Sequence, residues 1–144
     1  MAAINTGKVV VGGLAAGVVM NAIDFVTNMY ILGDRMKADM LRVNPQLWAN
    51  MNDMGKLPMF LAVDFVLGIM LVWLYAAIRP RFGSGAGTAM KAGVFMWLVG
   101  TAIGFYFAEA GLFSMSLFAL SGVASLVSML LSAWVGAMLY SEAA

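Results

Sequence analysis

LPMFLAVDFVLGIMLVWLYAAI, residues 57–78, decides the fold. Asp64 is its one charged residue. Wound into a helix at about 1.5 Å per residue, the stretch is about 33 Å long, enough to cross a hydrocarbon layer of about 30 Å. Three more apolar blocks of similar reach flank it, at residues 9–32, 88–108 and 112–140. A soluble core rarely needs four such lengths. The whole chain is 63% hydrophobic and 10% charged, too little polar surface to coat a soluble globule of 144 residues. The expected fold is therefore all-α. It is a single domain over residues 1–144, a polytopic membrane protein with an antiparallel four-transmembrane-helix bundle and the lipid bilayer as its solvent.

Two absences narrow the chemistry. The chain has no cysteine, which removes disulfides, thiol redox steps and thiolate-held metals. It has no histidine, which removes His-ligated haem, di-iron clusters and the usual proton shuttle. No cofactor and no metal centre are expected, and a net charge of +1 without a basic run gives no reason for a nucleic-acid partner. Fourteen methionines raise copper(I), through Met51-x-x-Met54 and Met36-x-x-x-Met40. The same positions suit the apolar face of an interfacial helix, the reading preferred here. The start of the chain has the look of a signal peptide, but its apolar run continues to Leu32 without a small-x-small cleavage site. It is taken as a retained first span.

Span 1 is expected to end at Gly33-Asp34. Between it and Lys56 lies a polar stretch in which Met36, Met40 and Val43, then Leu47, Trp48, Met51 and Met54, recur at helical spacing. Asn44 is a good N-cap and Pro45 suits a first helical position. The spacing predicts one or two amphipathic helices over residues 34–54, lying in the interface between spans 1 and 2.

Asp24 and Asp64 occupy nearly identical settings, Ala22-Ile23-Asp24-Phe25-Val26 and Ala62-Val63-Asp64-Phe65-Val66. A carboxylate in hydrocarbon costs a few kcal/mol, so each is a candidate functional group. The match invites a duplication of helix pairs, but spans 3 and 4 carry no Asp-Phe-Val. Counted from the expected span ends, the two acids lie at similar depth on the side of the long connection. Glu109 falls on that side too, and Asn21 and Asn28 share the Asp24 stripe. If the acids meet inside the bundle, a shared proton, a cation or a cationic ligand is their natural partner. Pairing with Asn21, Asn28, Thr27, Arg35 or Lys56 to hold helix register is the plainer alternative.

Small residues recur at packing intervals: Gly13 and Gly17 on span 1, Gly100 and Gly104 on span 3, and Ser121, Ser125, Ser128 and Ser132 on span 4. Such stripes let helix backbones approach closely. Tyr30, Phe60, Tyr106 and Phe113 are expected in one interfacial aromatic belt, and Trp73, Tyr75, Trp134 and Tyr140 in the other. Trp97 falls near the middle of span 3 and is expected in the core or beside a pocket.

Thr6-Gly7-Lys8-Val9-Val10-Val11-Gly12-Gly13 with Asn21, Tyr75-Ala76-Ala77-Ile78-Arg79-Pro80-Arg81-Phe82-Gly83, and Ala92-Gly93 resemble a group of small four-span bacterial inner-membrane proteins. The resemblance implies a bacterial inner membrane and supplies no activity. Four spans with an acid in the first also resemble the small multidrug exporters, from which the second acid, the long first connection and the greater length depart. Positive residues tie between the two sides, but Arg79 and Arg81 hug a span end, so both termini are expected in the cytoplasm. The expected function is that of a non-catalytic membrane protein, a homo-oligomer or an accessory subunit of a larger membrane complex. The alternative is a small carrier or binder of a cation or lipophilic amine that uses the Asp24–Asp64 pair.

Overall fold

The computed structural model describes residues 3–142. The extreme ends of the expected domain and of its tail, residues 1–2 and 143–144, lie outside the described residues. The described chain is helical without a strand: α1 (Thr6–Val26), a π turn (Thr27–Leu32), α2 (Gly33–Val43), α3 (Pro45–Met51), a 3₁₀ turn (Met54–Lys56), α4 (Leu57–Phe82), α5 (Ala86–Glu109) and α6 (Met115–Met138). Four of the helices are long and apolar enough to cross a membrane. They form the expected four-helix bundle. α1 packs on α4 and α6, and α5 packs chiefly on α6.

Helix ends follow local chemistry. The Asn5 side chain accepts the Lys8 N–H at 3.1 Å, the Ser114 hydroxyl accepts the Leu117 N–H at 3.3 Å, and the Asn44 side chain accepts the Gln46 N–H at 2.9 Å. Each satisfies an amide that a helix N-terminus leaves open. α4 stops at Gly83, whose φ of +83° favours glycine. The break at Asn44, with extended backbone at φ −164° and ψ 123°, separates α2 from α3 as the sequence predicts.

One expected boundary is corrected. The helix does not end at Gly33-Asp34 but runs without interruption from Thr6 to Val43. Gly33 itself is helical, at φ −51° and ψ −50°. Its role lies in the π turn, where the wider i→i+5 ladder brings it against the Asn28 carbonyl. A Cβ on Gly33 would sit 2.7 Å from that oxygen. Glycine here relieves crowding inside a helix instead of terminating one.

The closest helix contact is glycine on backbone. A Cβ on Gly68 would strike the Gly13 carbonyl oxygen and come within 2.7 Å of the Gly17 nitrogen. In return Gly13 lies against Ile69 and Gly17 against Phe65. Gly12 meets Gly136 of α6 in the same manner, with a Cβ placed 2.6 Å from the Gly136 oxygen. Around these contacts Val9, Ala16, Met20, Leu71, Val72, Ala89, Ala92 and Ala133 are buried. The core therefore sits toward the end of the bundle that holds both ends of the described chain.

That end is closed by Tyr75 and Tyr140, an edge-to-face pair 5.9 Å apart. Their hydroxyls accept N–H groups from Gly85 at 3.1 Å and Asn5 at 3.3 Å. Both tyrosines are buried, at 3% and 7% exposure, which corrects their expected place in an outer belt. A tyrosine whose hydroxyl reaches a loop amide can be buried without an unmet polar group. Arg79 lies over the Tyr140 ring at 5.6 Å and 3.4 Å from the Glu142 carboxylate, tying the end of α4 to the end of the described chain.

Toward the other end the helices spread. After Gly93, α5 buries nothing until Ala108. Trp97 bridges the gap, its indole N–H donating to the Gly122 carbonyl at 2.8 Å. It lines a cavity of about 280 Å³ between α5 and α6, together with Gly100, Thr101 and Phe118.

α2 is pinned across this open end. The Asp39 carboxylate accepts the Ser114 N–H at 2.7 Å, at the first turn of α6, where a negative charge also meets the positive end of the helix dipole. Arg42 donates to the Gly111 carbonyl at 3.3 Å. Asp39→Ala should release α2 while leaving the bundle folded. The expected result is about tenfold faster amide exchange at Ser114 and along α2, from loss of a charge-assisted hydrogen bond of about 1.5 kcal/mol. Exchange among buried residues near Leu71 should not change.

Candidate functional site

The open end holds the larger cavity, about 740 Å³, within the range of small-molecule sites. Its walls are the last turns of α1, the π turn, α2, α3 and the first turns of α4. On α4, Leu57, Phe60, Leu61 and Asp64 follow the i, i+3, i+4, i+7 spacing that gathers side chains on one helix face. On α1 and the π turn, Asn21, Asp24, Phe25 and Asn28 do the same. Met36, Lys37, Trp48 and Met51 line it from the amphipathic pair.

Asp24 and Asp64 both line this cleft, and each is partly buried. The register between their helices is fixed by Gly13 beside Ile69, Gly17 beside Phe65 and Asn21 beside Leu61. In this register Asp64 is level with Val18. Asp24 lies six residues further along α1, so the Cα atoms differ in depth by about 9 Å. Equal depth, as expected from the sequence, is thereby corrected. The expected depth rests on a helix end at Gly33, whereas the helix continues to Val43.

Geometry closes much of the gap. Helical side chains lean toward their own N-terminus, and α1 and α4 run in opposite directions, so the two carboxylates lean toward each other. Both carboxylates thus face the same cleft. Ser128 is buried on the neighbouring face of α6. Asn21 anchors the floor, its amide donating to the Gly17 carbonyl at 2.9 Å and, across the helix interface, to Leu61 at 3.4 Å.

The remaining candidates separate. Asn28 lines the cleft from the π turn. Glu109 is exposed at the end of α5 and is not among the cleft residues. Ser125 and Ser121 donate back to their own helix, at 3.0 Å each, and line the smaller cavity. Ser132 is fully buried in the core. A Cβ on Gly100 would meet nothing within 4 Å, and one on Gly104 only the Phe118 ring at 3.5 Å, so within this chain neither mediates the backbone approach made at Gly13 and Gly17.

The sequence reading missed Gly68, the partner of both α1 glycines, and the contribution of Lys37, Trp48 and Phe60 to the cleft. The α4 spacing from Leu57 to Asp64 was visible. The packing of α2 and α3 around it was not, because no local pattern encodes that tertiary contact.

Chemically the cleft offers carboxylates from Asp24, Asp64 and Asp34 and a single ammonium, Lys37, among aromatic rings and thioethers. Among the described residues no three acidic, histidine or cysteine side chains converge as a metal cage would require. Negative charge beside aromatic and apolar surface suits a bulky organic cation better than a bare ion. No protein-family model, curated protein or solved structure matches this chain, so the functional reading rests on its own residues.

Proposed function

We propose that this is a non-catalytic membrane protein that binds, and in a membrane carries, lipophilic organic cations. One observation supports the reading above the rest: both in-span carboxylates open into one cleft walled by Phe25, Phe60, Trp48 and methionine side chains. A role as an accessory or oligomerising subunit would account for Gly100 and Gly104, which meet no backbone within this chain, but would leave the cleft without a purpose. The test is binding of tetraphenylphosphonium to the protein purified in mild detergent, set against uncharged triphenylphosphine. Saturable binding of the cation alone is expected. Equal binding of both, or of neither, defeats the proposal, and co-purification of a stoichiometric partner protein would favour the subunit role.

The proposed location is the inner membrane of a bacterium, with both termini cytoplasmic and the cleft opening on the far side. Arg79 and Arg81 at the end of α4 support this orientation. Since the chain has no cysteine, single introduced thiols report sidedness without background. Ala49→Cys on α3 should react with a membrane-impermeant maleimide in intact spheroplasts. Ser84→Cys, in the turn before α5, should react only after lysis. The reverse pattern would invert the topology.

A further inference from the structure

The Lys37 ammonium lies 5.7 Å above the Trp48 ring, and both residues line the cleft. Lys37 is the one cationic side chain among the cleft residues, and it is seated on an aromatic face of the kind that binds organic cations. It reaches that face from α2, whose position is set by Asp39 on Ser114 and Arg42 on Gly111. Trp48 is placed from α3 by the Asn44–Pro45 break, and α3 is tied to the start of α4 through the Lys56 ammonium on Asn50 at 3.0 Å. Two independently anchored helices thus bring a cation and its aromatic seat together in the wall of an acidic cleft.

We infer that Trp48 is the outer subsite for the organic cation and that Lys37 is a tethered competitor that an incoming cation must displace. This deepens the proposed function and rests on it. The chemistry is an exchange of like for like. An ammonium held by ring electrostatics gives way to a larger, less strongly hydrated cation, which loses less hydration on contact with the ring. The displaced Lys37 is exposed and on a flexible stem, so it can swing back to water. The arrangement selects against small hydrophilic amines, which hold the ring no better than lysine does. Beyond Trp48 the cation would meet Phe60 on the way to Asp64 and Asp24.

The experiment is a double-mutant cycle on tetraphenylphosphonium affinity in detergent, using Lys37→Gln, Trp48→Leu and the pair. Trp48→Phe serves as the milder variant, and helical content is checked in each. Lys37→Gln should tighten binding about threefold and Trp48→Leu should weaken it about fivefold, the scale of an exposed cation–π contact. Once Trp48 is leucine, Lys37→Gln should change little, and Trp48→Phe should fall between wild type and leucine. If Lys37→Gln gains as much without Trp48 as with it, the lysine acts only as a distant like charge and the inference is overturned. Unchanged affinity in every variant overturns it too, while binding that still depends on Asp24 and Asp64 would leave the proposed function standing. Absence of binding by the wild-type protein removes both.

Discussion

Gly68→Ala is expected to cost about 3 kcal/mol, at the upper end of overpacking penalties and a large share of the stability of a small domain. The added methyl would be driven into the Gly13 carbonyl and would stand 2.7 Å from the Gly17 nitrogen. Those atoms are backbone, with no rotamer to yield, so α1 and α4 must move apart along their whole contact. The gain in helix propensity from glycine to alanine, about 1 kcal/mol, is too small to offset this. Gly100→Ala is the control: its methyl meets nothing within 4 Å, and propensity alone acts. Unfolding in mixed micelles, followed by helical signal against denaturing detergent, should show a large loss for Gly68→Ala and no loss for Gly100→Ala. Equal behaviour of the two would refute the close approach of α1 and α4.

The second large effect concerns binding. Replacing Asp24 and Asp64 together by asparagine should weaken tetraphenylphosphonium binding by at least about 30-fold. Loss of charged partners from a partly desolvated site typically costs 2 kcal/mol or more. The amides preserve shape, Asp64 meets Gly17 only through its backbone carbonyl, and neither aspartate side chain belongs to the tyrosine cap, so folding should persist. Asp64→Asn alone should lose part of the affinity, since Asp24 remains in the cleft. Wild-type binding should also weaken on acidification, because a carboxylate must give up its proton to hold a cation. Binding by the double variant equal to wild type would remove the carboxylates from the site.

The bundle was legible in the sequence because hydrocarbon imposes a length, and four blocks of that length leave little freedom. The Asn44–Pro45 break and the face of Met36 and Met40 were legible for similarly local reasons. Misreadings arose where one residue type serves two purposes. Gly33 reads as a terminator because glycine commonly follows a helix, yet here it is required within one. Tyr75 and Tyr140 carry the signature of an interfacial belt, but a hydroxyl that meets a loop amide serves equally well inside a core. In the cleft, the two aspartates and Asn21 stood out because polar groups within spans are rare. Lys37 and Trp48 did not, since a lysine and a tryptophan on an amphipathic helix are ordinary until the fold sets one above the other.

The π turn also bears on how this chain tolerates changes of length. A π turn accommodates one residue more than the α-ladder needs while keeping the flanking helices in phase. Deleting a single residue within Thr27–Leu32 would let the ladder close as ordinary α-helix, with α2 still presenting Asp39 to Ser114. Straightening the turn without a deletion would instead rotate α2 by about 100° and carry Asp34 and Lys37 away from the cleft. The surplus residue therefore acts as an angular setting for everything that follows it. A one-residue deletion at this point is gentler on the architecture than a relaxation of the backbone that leaves the sequence intact.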